Sequence, residues 1–283
     1  TSLWQTSHDV LVIGSLEPLA LSWEGYAARL AEPRVAAQLR PLGLDDPVAF
    51  LAEQAMDDSG VRAYAEGAPR NTDDNVYLEF SSPLSIGHPD TAEVTLRVNR
   101  GRSALAASGA LPLTGMPPAA QALLRAARGA KNRLLYTQIE SKRRIERLKE
   151  VVADVPDYRP ARIQLARRLA ELGSRDLAAG RVPLALVRAR EAVALADEPS
   201  AFLLEGSALA RQQRYEEALV PIERAIGLAP HRWMAHYQRA LALLGAGRHD
   251  EATGELERAV ALNPAHRELG ERLAETRAAA SGG

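Results

Sequence analysis

Cysteine is absent from all 283 residues, so neither a disulfide nor a thiolate metal site is open to this chain. Lysine is almost absent: Lys131, Lys142 and Lys149 are the only three, and every other basic residue is Arg. With so much Ala, that bias points to a GC-rich genome rather than to a function. No run reaches the ~18 apolar residues that a membrane-spanning helix needs. The best, VLVIGSLEPLALSW at 10–23, is too short and carries Glu17 and Pro18. Glycine-rich phosphate loops, Walker motifs and G-x-S-x-G are also missing. The six histidines are scattered, His231 and His236 lie five apart, and no metal-ligand spacing occurs, so no metal site and no catalytic residue is assigned. The chain starts at Thr1 with neither Met nor a signal-peptide pattern. It therefore reads as a piece of something longer, cytoplasmic or the soluble part of a membrane-attached parent.

What is present, 46% hydrophobic and 25% charged residues, is the composition of a globular protein long enough for two cores. The net charge of −1 hides a split. Residues 1–90 hold 14 acidic residues and 5 Arg, a balance of −9; residues 91–283 hold 22 acidic and 30 basic residues, a balance of +8. Two modules with different surfaces follow from that asymmetry.

Along the chain, TSLWQTSHDVLVIGS reads as two short strands, about 2–5 and 10–14, joined by a polar turn. Helical spacing recurs at 23–31, 33–43, 47–56 and 59–68, with Pro33 and Pro47 at first-turn positions and Gly43 and Gly67 at stops. Residues 76–80, VYLEF, alternate like a strand and are the one further strand candidate, which leaves a sheet without its centre. Beyond the linker marked by Pro83, Gly87 and Pro89, only helices are expected: one from about 91, then two long ones near 117–136 and 138–153.

The last third carries the firmest pattern. Residues 201–230 and 235–264 align with Ala208/Ala242, Leu209/Leu243, Ala218/Ala252, Ala225/Ala259, Leu228/Leu262 and Pro230/Pro264 all 34 apart. A 34-residue helix–turn–helix period with small residues at the crossings and a closing Pro resembles the tetratricopeptide repeat. Gly206 and Ala240 take its small position where two helices touch, and Tyr215, replaced by His249 in the next copy, its turn aromatic. A weaker copy at 166–198 keeps Gly173, Gly180, Ala185, Ala192 and Leu195 in register. The alanines are packing positions, and AETRAAASGG reads as a capping helix with a tail.

Two stretches invite a chemical reading. KNRLLYTQIESKRRIERLK at 131–149 is basic, but Glu140, Glu146 and Glu150 are interleaved as on a solvated helix, so nucleic acid is not expected. In APRNTDDNVYLEFSSP (68–83), Asp73 and Asp74 could be a metal site, an acid/base pair, a cation-binding lip, or a side-chain-bonded turn into the strand.

The order LWQTSHDVLVIGS, helices, GAPRNTDDNVYLEFSSP, then tetratricopeptide-like helices resembles the C-terminal part of bacterial spermidine synthase-like proteins. The resemblance covers residues 1–90 and rests most on NTDD at 71–74 and LEF at 78–80; Asn75 and Val76 stand where that family has Arg-Pro, so the role of that Arg is not carried over. It implies an aminopropyltransferase-type Rossmann domain whose cofactor-binding turn and catalytic Asp loop would precede residue 1. Decarboxylated S-adenosylmethionine, the family's cofactor, would then find no motif in this chain. Asp73 and Asp74 would cap the turn and, in a parent protein, lie at the rim of a polyamine site.

The expected fold is mainly α: a partial α/β Rossmann-like remnant at 1–90, a helical connector or degraded repeat at 91–160, and a tetratricopeptide-repeat solenoid at 161–283, with repeats at about 166–198, 199–232 and 233–266 and a capping helix. The expected function is protein or peptide binding in the repeat groove, without catalysis by this chain. The alternative is the C-terminal half of an aminopropyltransferase-like enzyme, active once its missing half is supplied. By register the groove would present Arg167, Ser174, Leu203, Ser207, Arg211, Tyr237, Gln238 and Leu241, with Tyr237 and Leu241 as apolar contacts and Arg211 meeting a carboxylate. No Lys or Asn stands among them, so the acidic C-termini of chaperones are not the expected ligand. The groove could also stay empty or be filled by the terminal helix folding back.

Overall fold

The computed structural model describes residues 2–5, 10–13, 21–67, 98, 100–105, 107, 113–139 and 144–281. Asp73, Asp74 and the strand expected at 76–80 lie outside them. The chain divides into two compact units, Thr1–Ala161 and Arg162–Gly283.

In the first unit, β1 (Ser2–Gln5) and β2 (Val10–Ile13) pair antiparallel, Ser2 opposite Ile13 and Gln5 opposite Val10. The other edge of β1 takes β3 (Gln54–Met56), also antiparallel, so the sheet order is β2-β1-β3 with β1 central. This corrects the helix expected over 47–56. A short helix, α3 (Pro47–Leu51), does start there, with Asp46 accepting the Ala49 N–H at 2.8 Å and Pro47 in its first turn. It stops because the next residues are needed as a strand: Gln54, Ala55 and Met56 are all buried. Three residues are too few to show a period of two, and their apolar members fit a helical spacing equally well.

The remaining helices of this unit follow local rules. Ser22 caps α1 (Trp23–Ala31) through the Gly25 N–H at 3.2 Å. Pro33 opens α2 (Pro33–Leu39), and a 3-10 turn over 40–42 ends at Gly43, whose φ of +72° suits glycine. Asp57 caps α4 (Asp58–Tyr64) through the Gly60 N–H at 2.9 Å. Two longer helices, α5 (Pro118–Ile139) and α6 (Arg144–Asp154), follow. Ala55, Met56 and Val98 form a small core with Val61 and Tyr64 packed against it.

The second unit is helical throughout its described residues. From α7 (Arg159–Ala178) the elements are α8 (Val182–Leu195), α9 (Pro199–Arg211), α10 (Tyr215–Leu228), α11 (Trp233–Gly245), α12 (His249–Leu262) and α13 (Arg267–Ser281). The starts of α9 and α11, and of α10 and α12, are 34 residues apart, as the sequence period requires. Each pair is closed by a turn of a few residues, so its helices run antiparallel. The result is a stack of helical hairpins with the 34-residue period of the sequence, and every aligned alanine named above is buried.

The hairpin turns share one backbone trick. Gly180, Gln213 and Gly247 all take positive φ, at 76°, 61° and 77°, immediately before the Arg that starts each second helix. Arg214 and Arg248 then reach forward to Glu217 and Glu251, each through two hydrogen bonds of 2.6–2.8 Å. Where two helices cross, the side chain must be small. A methyl on Gly206 would stand 3.0 Å from the Ala218 carbonyl and inside the Ile222 side chain.

Candidate functional site

A groove of about 420 Å³ opens in the second unit. Its walls come from α7, α9 and α11, the first helices of successive hairpins, together with Tyr215 at the start of α10. Along α9 the facing residues are Ser200, Leu203, Leu204, Ser207, Ala210 and Arg211, which step by three and four as one helical face must. Ser174 and Leu177 face it from α7, and Met234, Gln238 and Leu241 from α11, with Arg232 at the N-cap of that helix.

Six of the eight residues expected by register therefore line this one cavity: Ser174, Leu203, Ser207, Arg211, Gln238 and Leu241. The other two do not. Arg167 is held by Glu198 at 2.8 Å, and the Tyr237 hydroxyl donates to Glu268 at 3.1 Å. Burial, with the Glu268 carboxylate beside it, raises the Tyr237 pKa above the ordinary phenol value. Its ring also sits 6.4 Å from that of Trp233, which in turn lies 4.7 Å from His266. Both partners of these diverted residues lie 31 positions downstream, in the next hairpin, and intra-helix register carries no trace of them.

The groove offers a definite set of chemical handles. The Ser174 and Ser207 hydroxyls donate to the carbonyls four residues back, at 2.9 and 2.8 Å, so towards the groove they present acceptor lone pairs. Leu203, Leu241 and the exposed Met234 supply apolar surface. Arg211 and Arg232 supply positive charge, and no Asp or Glu lines the cavity. None of its lining comes from α13, so the terminal helix does not fill it.

Beside the groove, the third hairpin holds a buried polar cluster. His236 Nδ1 lies 2.7 Å from Glu255 Oε2, and its Nε2 lies 3.0 Å from the Pro230 carbonyl. Glu255 also accepts from Arg239 and Arg258, at 3.0 and 2.9 Å. One hairpin earlier the same two positions are Phe202 and Pro221. This cluster ties the hairpin to the closing proline of its predecessor.

The first unit buries an unexpected amount of charge. Lys131, which the sequence places at the start of a solvated basic helix, is buried and bonded to both oxygens of the equally buried Glu53, at 2.6 and 2.8 Å. Arg102 reaches the Ala52 and Gln54 carbonyls at 2.7 and 3.3 Å, and Arg128 reaches Gln54 Oε1 at 3.1 Å. Burial lowers the Lys131 pKa against the pull of Glu53; burial and the nearby Arg102 push Arg128 down to about 10. Burial, reinforced by Glu53, drives the Tyr158 hydroxyl well above its ordinary range. These groups pin the turn between α3 and β3, a structural duty. Residues 53, 102, 128 and 131 are too far apart in sequence for any motif to announce them. Among the described residues no group of three or more His, Asp or Glu could hold a metal, and no helix is long and apolar enough to cross a membrane.

No protein-family model matches the chain, and no curated protein matches it. Several solved structures are similar. The first tetratricopeptide-repeat domain of Spaghetti (RPAP3), bound to the HSP90 peptide SRMEEVD, is 22% identical over 42% of this chain and 94% of its own, with a TM-score of 0.40. The tetratricopeptide-repeat domain of Arabidopsis OM64 is 16% identical, covering 41% of this chain and 97% of its own, at 0.39. MamA from Desulfovibrio magneticus is 18% identical over 53% and 86%, at 0.40.

Proposed function

We propose that the chain is a protein-interaction module whose helical repeats grip a peptide segment of a partner in the groove between α7, α9 and α11. One observation carries this reading. The first helices of consecutive hairpins leave a cavity of about 420 Å³ that holds apolar, donor and acceptor groups together and that no element among the described residues fills. Stacked hairpins bind extended ligands on this face, because each repeat adds one helix to it. Selection of random displayed peptides on the full chain tests the reading. Selected peptides should lose binding to Ser207→Trp, which places an indole in the cavity, while far-UV circular dichroism stays unchanged. Peptides that bind the blocked and native forms alike contradict it.

A second reading keeps residues 1–90 as the closing part of a spermidine synthase-like domain, with Asp73 and Asp74 at a polyamine rim and activity dependent on an upstream half. It rests on the resemblance carried by NTDD at 71–74 and LEF at 78–80. Calorimetric titration of the chain with a decarboxylated S-adenosylmethionine analogue is expected to give no heat. In the protein with its upstream half, Asp73→Asn with Asp74→Asn should weaken polyamine binding; unchanged affinity removes the rim role.

A further inference from the structure

Nearly every arginine of the second unit is spent on a partner: Arg167 on Glu198, Arg181 on Asp176, Arg239 on Glu255 and Glu223, Arg272 on Glu275. Among the described residues of 162–283, Arg175, Arg211 and Arg232 alone show no ion pair or side-chain hydrogen bond. Two of these three line the groove, where no carboxylate accompanies them. A cationic side chain left open in a cavity lined by leucines and serines is complementary to an anion that arrives with its own apolar flanks.

Their placement sets the spacing of that anion. Arg211 is the last residue of α9, and Arg232 is the N-cap of α11. The 34-residue period puts position 232 level with position 198, the N-cap of α9. The two arginines thus stand at opposite ends of the groove, thirteen residues apart in level, or roughly 20 Å along the helix axis at 1.5 Å per residue. An extended chain covers that distance in about six residues. Between the two ends lie Leu203, Leu241 and Met234, with the Ser174 and Ser207 oxygens turned to accept from a peptide N–H.

We infer that the groove takes an extended acidic segment of a partner protein, with two carboxylates five or six residues apart and apolar side chains between them. Arg211 receives one carboxylate and Arg232 the other. This rests on the groove being the binding face and adds the chemistry of the occupant.

Fluorescence anisotropy of the full chain with three labelled ten-residue peptides tests it. One carries Glu at positions 2 and 7 with Leu and Val between them, one carries the same residues with the two Glu adjacent, and one has Gln for both Glu. The spaced peptide should bind tightest. Arg211→Gln and Arg232→Gln should each weaken it about fivefold, the range of a solvent-exposed ion pair, and Arg175→Gln should leave it unchanged. The adjacent-acid peptide should respond to one of the two groove variants, not both. Binding indifferent to spacing, equal loss in Arg175→Gln, equal competition by a single-stranded oligonucleotide, or no binding of the spaced peptide each overturns the inference. If binding ignores both groove arginines yet is lost in Ser207→Trp, the groove stands and its acidic occupant falls. If Ser207→Trp binds as the native chain does, the groove itself falls.

Discussion

Adding one methyl at Gly206 probes the packing of the repeats more sharply than any surface change. The new Cβ would overlap Ile222 Cγ1, stand 2.9 Å from its Cδ1 and 3.0 Å from the Ala218 carbonyl oxygen. Ile222 is fully buried, and a β-branched side chain in a helix has one favoured rotamer, so it cannot swing aside. Overpacking of this kind costs about 1–3 kcal/mol, offset by about 1 kcal/mol from the better helix propensity of Ala. Gly206→Ala should therefore lower stability by roughly 1 kcal/mol. The next hairpin shows the remedy: position 240 is Ala and position 256, the equivalent of 222, is Leu, both fully buried. Ile222→Leu alone should also destabilise, since it leaves space against Gly206. The pair together should restore stability, with a coupling of about 1–2 kcal/mol. Urea unfolding of the full chain, followed by Trp233 fluorescence in a Trp4→Phe, Trp23→Phe background, reads the second unit. If the single alanine variant is as stable as the parent and the two changes add independently, the crossing is not packed as described.

Gln213 sits at φ +61° where the other two hairpin turns have Gly, so Gln213→Gly should stabilise the second unit by up to about 1 kcal/mol of relieved strain, read as a raised melting point; a lower melting point contradicts this. Lys131→Met strands the buried Glu53 and should destabilise the first unit by about 3–5 kcal/mol, with much of the loss recovered by adding Glu53→Leu; chemical unfolding read by Trp23 checks it, and no recovery refutes it. Asp57 is held below its ordinary 3.8 mainly by the Gly60 N–H, so its folded carboxyl binds protons less readily than the unfolded one. The stability it contributes is present above that value and fades as pH falls through the lowered one. Acid titration of the unfolding midpoint should show Asp57→Asn losing less than the parent over that window, and parallel curves would refute the cap.

The repeats were legible because a 34-residue period records a packing constraint at each helix crossing: Gly206, Ala218 and Ala225 are small where backbones approach. Helical register alone places Ser207, Arg211, Gln238 and Leu241 together, and all four line one cavity. Arg232 was not, because it precedes its helix and reaches the cavity only through the stacking of the next hairpin. Arg167 and Tyr237 stand outside the cavity lining for the converse reason: Glu198 and Glu268 engage them from the following repeat. In the first unit, β3 leaves no mark in the sequence, because an edge of β1 decides its conformation and a three-residue segment holds no period. The Glu53–Lys131 pair joins residues 78 positions apart, beyond the reach of any local pattern.

Hydrogen exchange of the full chain, alone and saturated with a peptide selected on it, tests the binding role most directly. Added protection should concentrate on α9 and α11, at the turns carrying Ser207 and Gln238, and leave α12 and α10 beyond its first turn as they were. Protection confined to α10 and α12, or to residues 21–67, would place the partner elsewhere and contradict the groove.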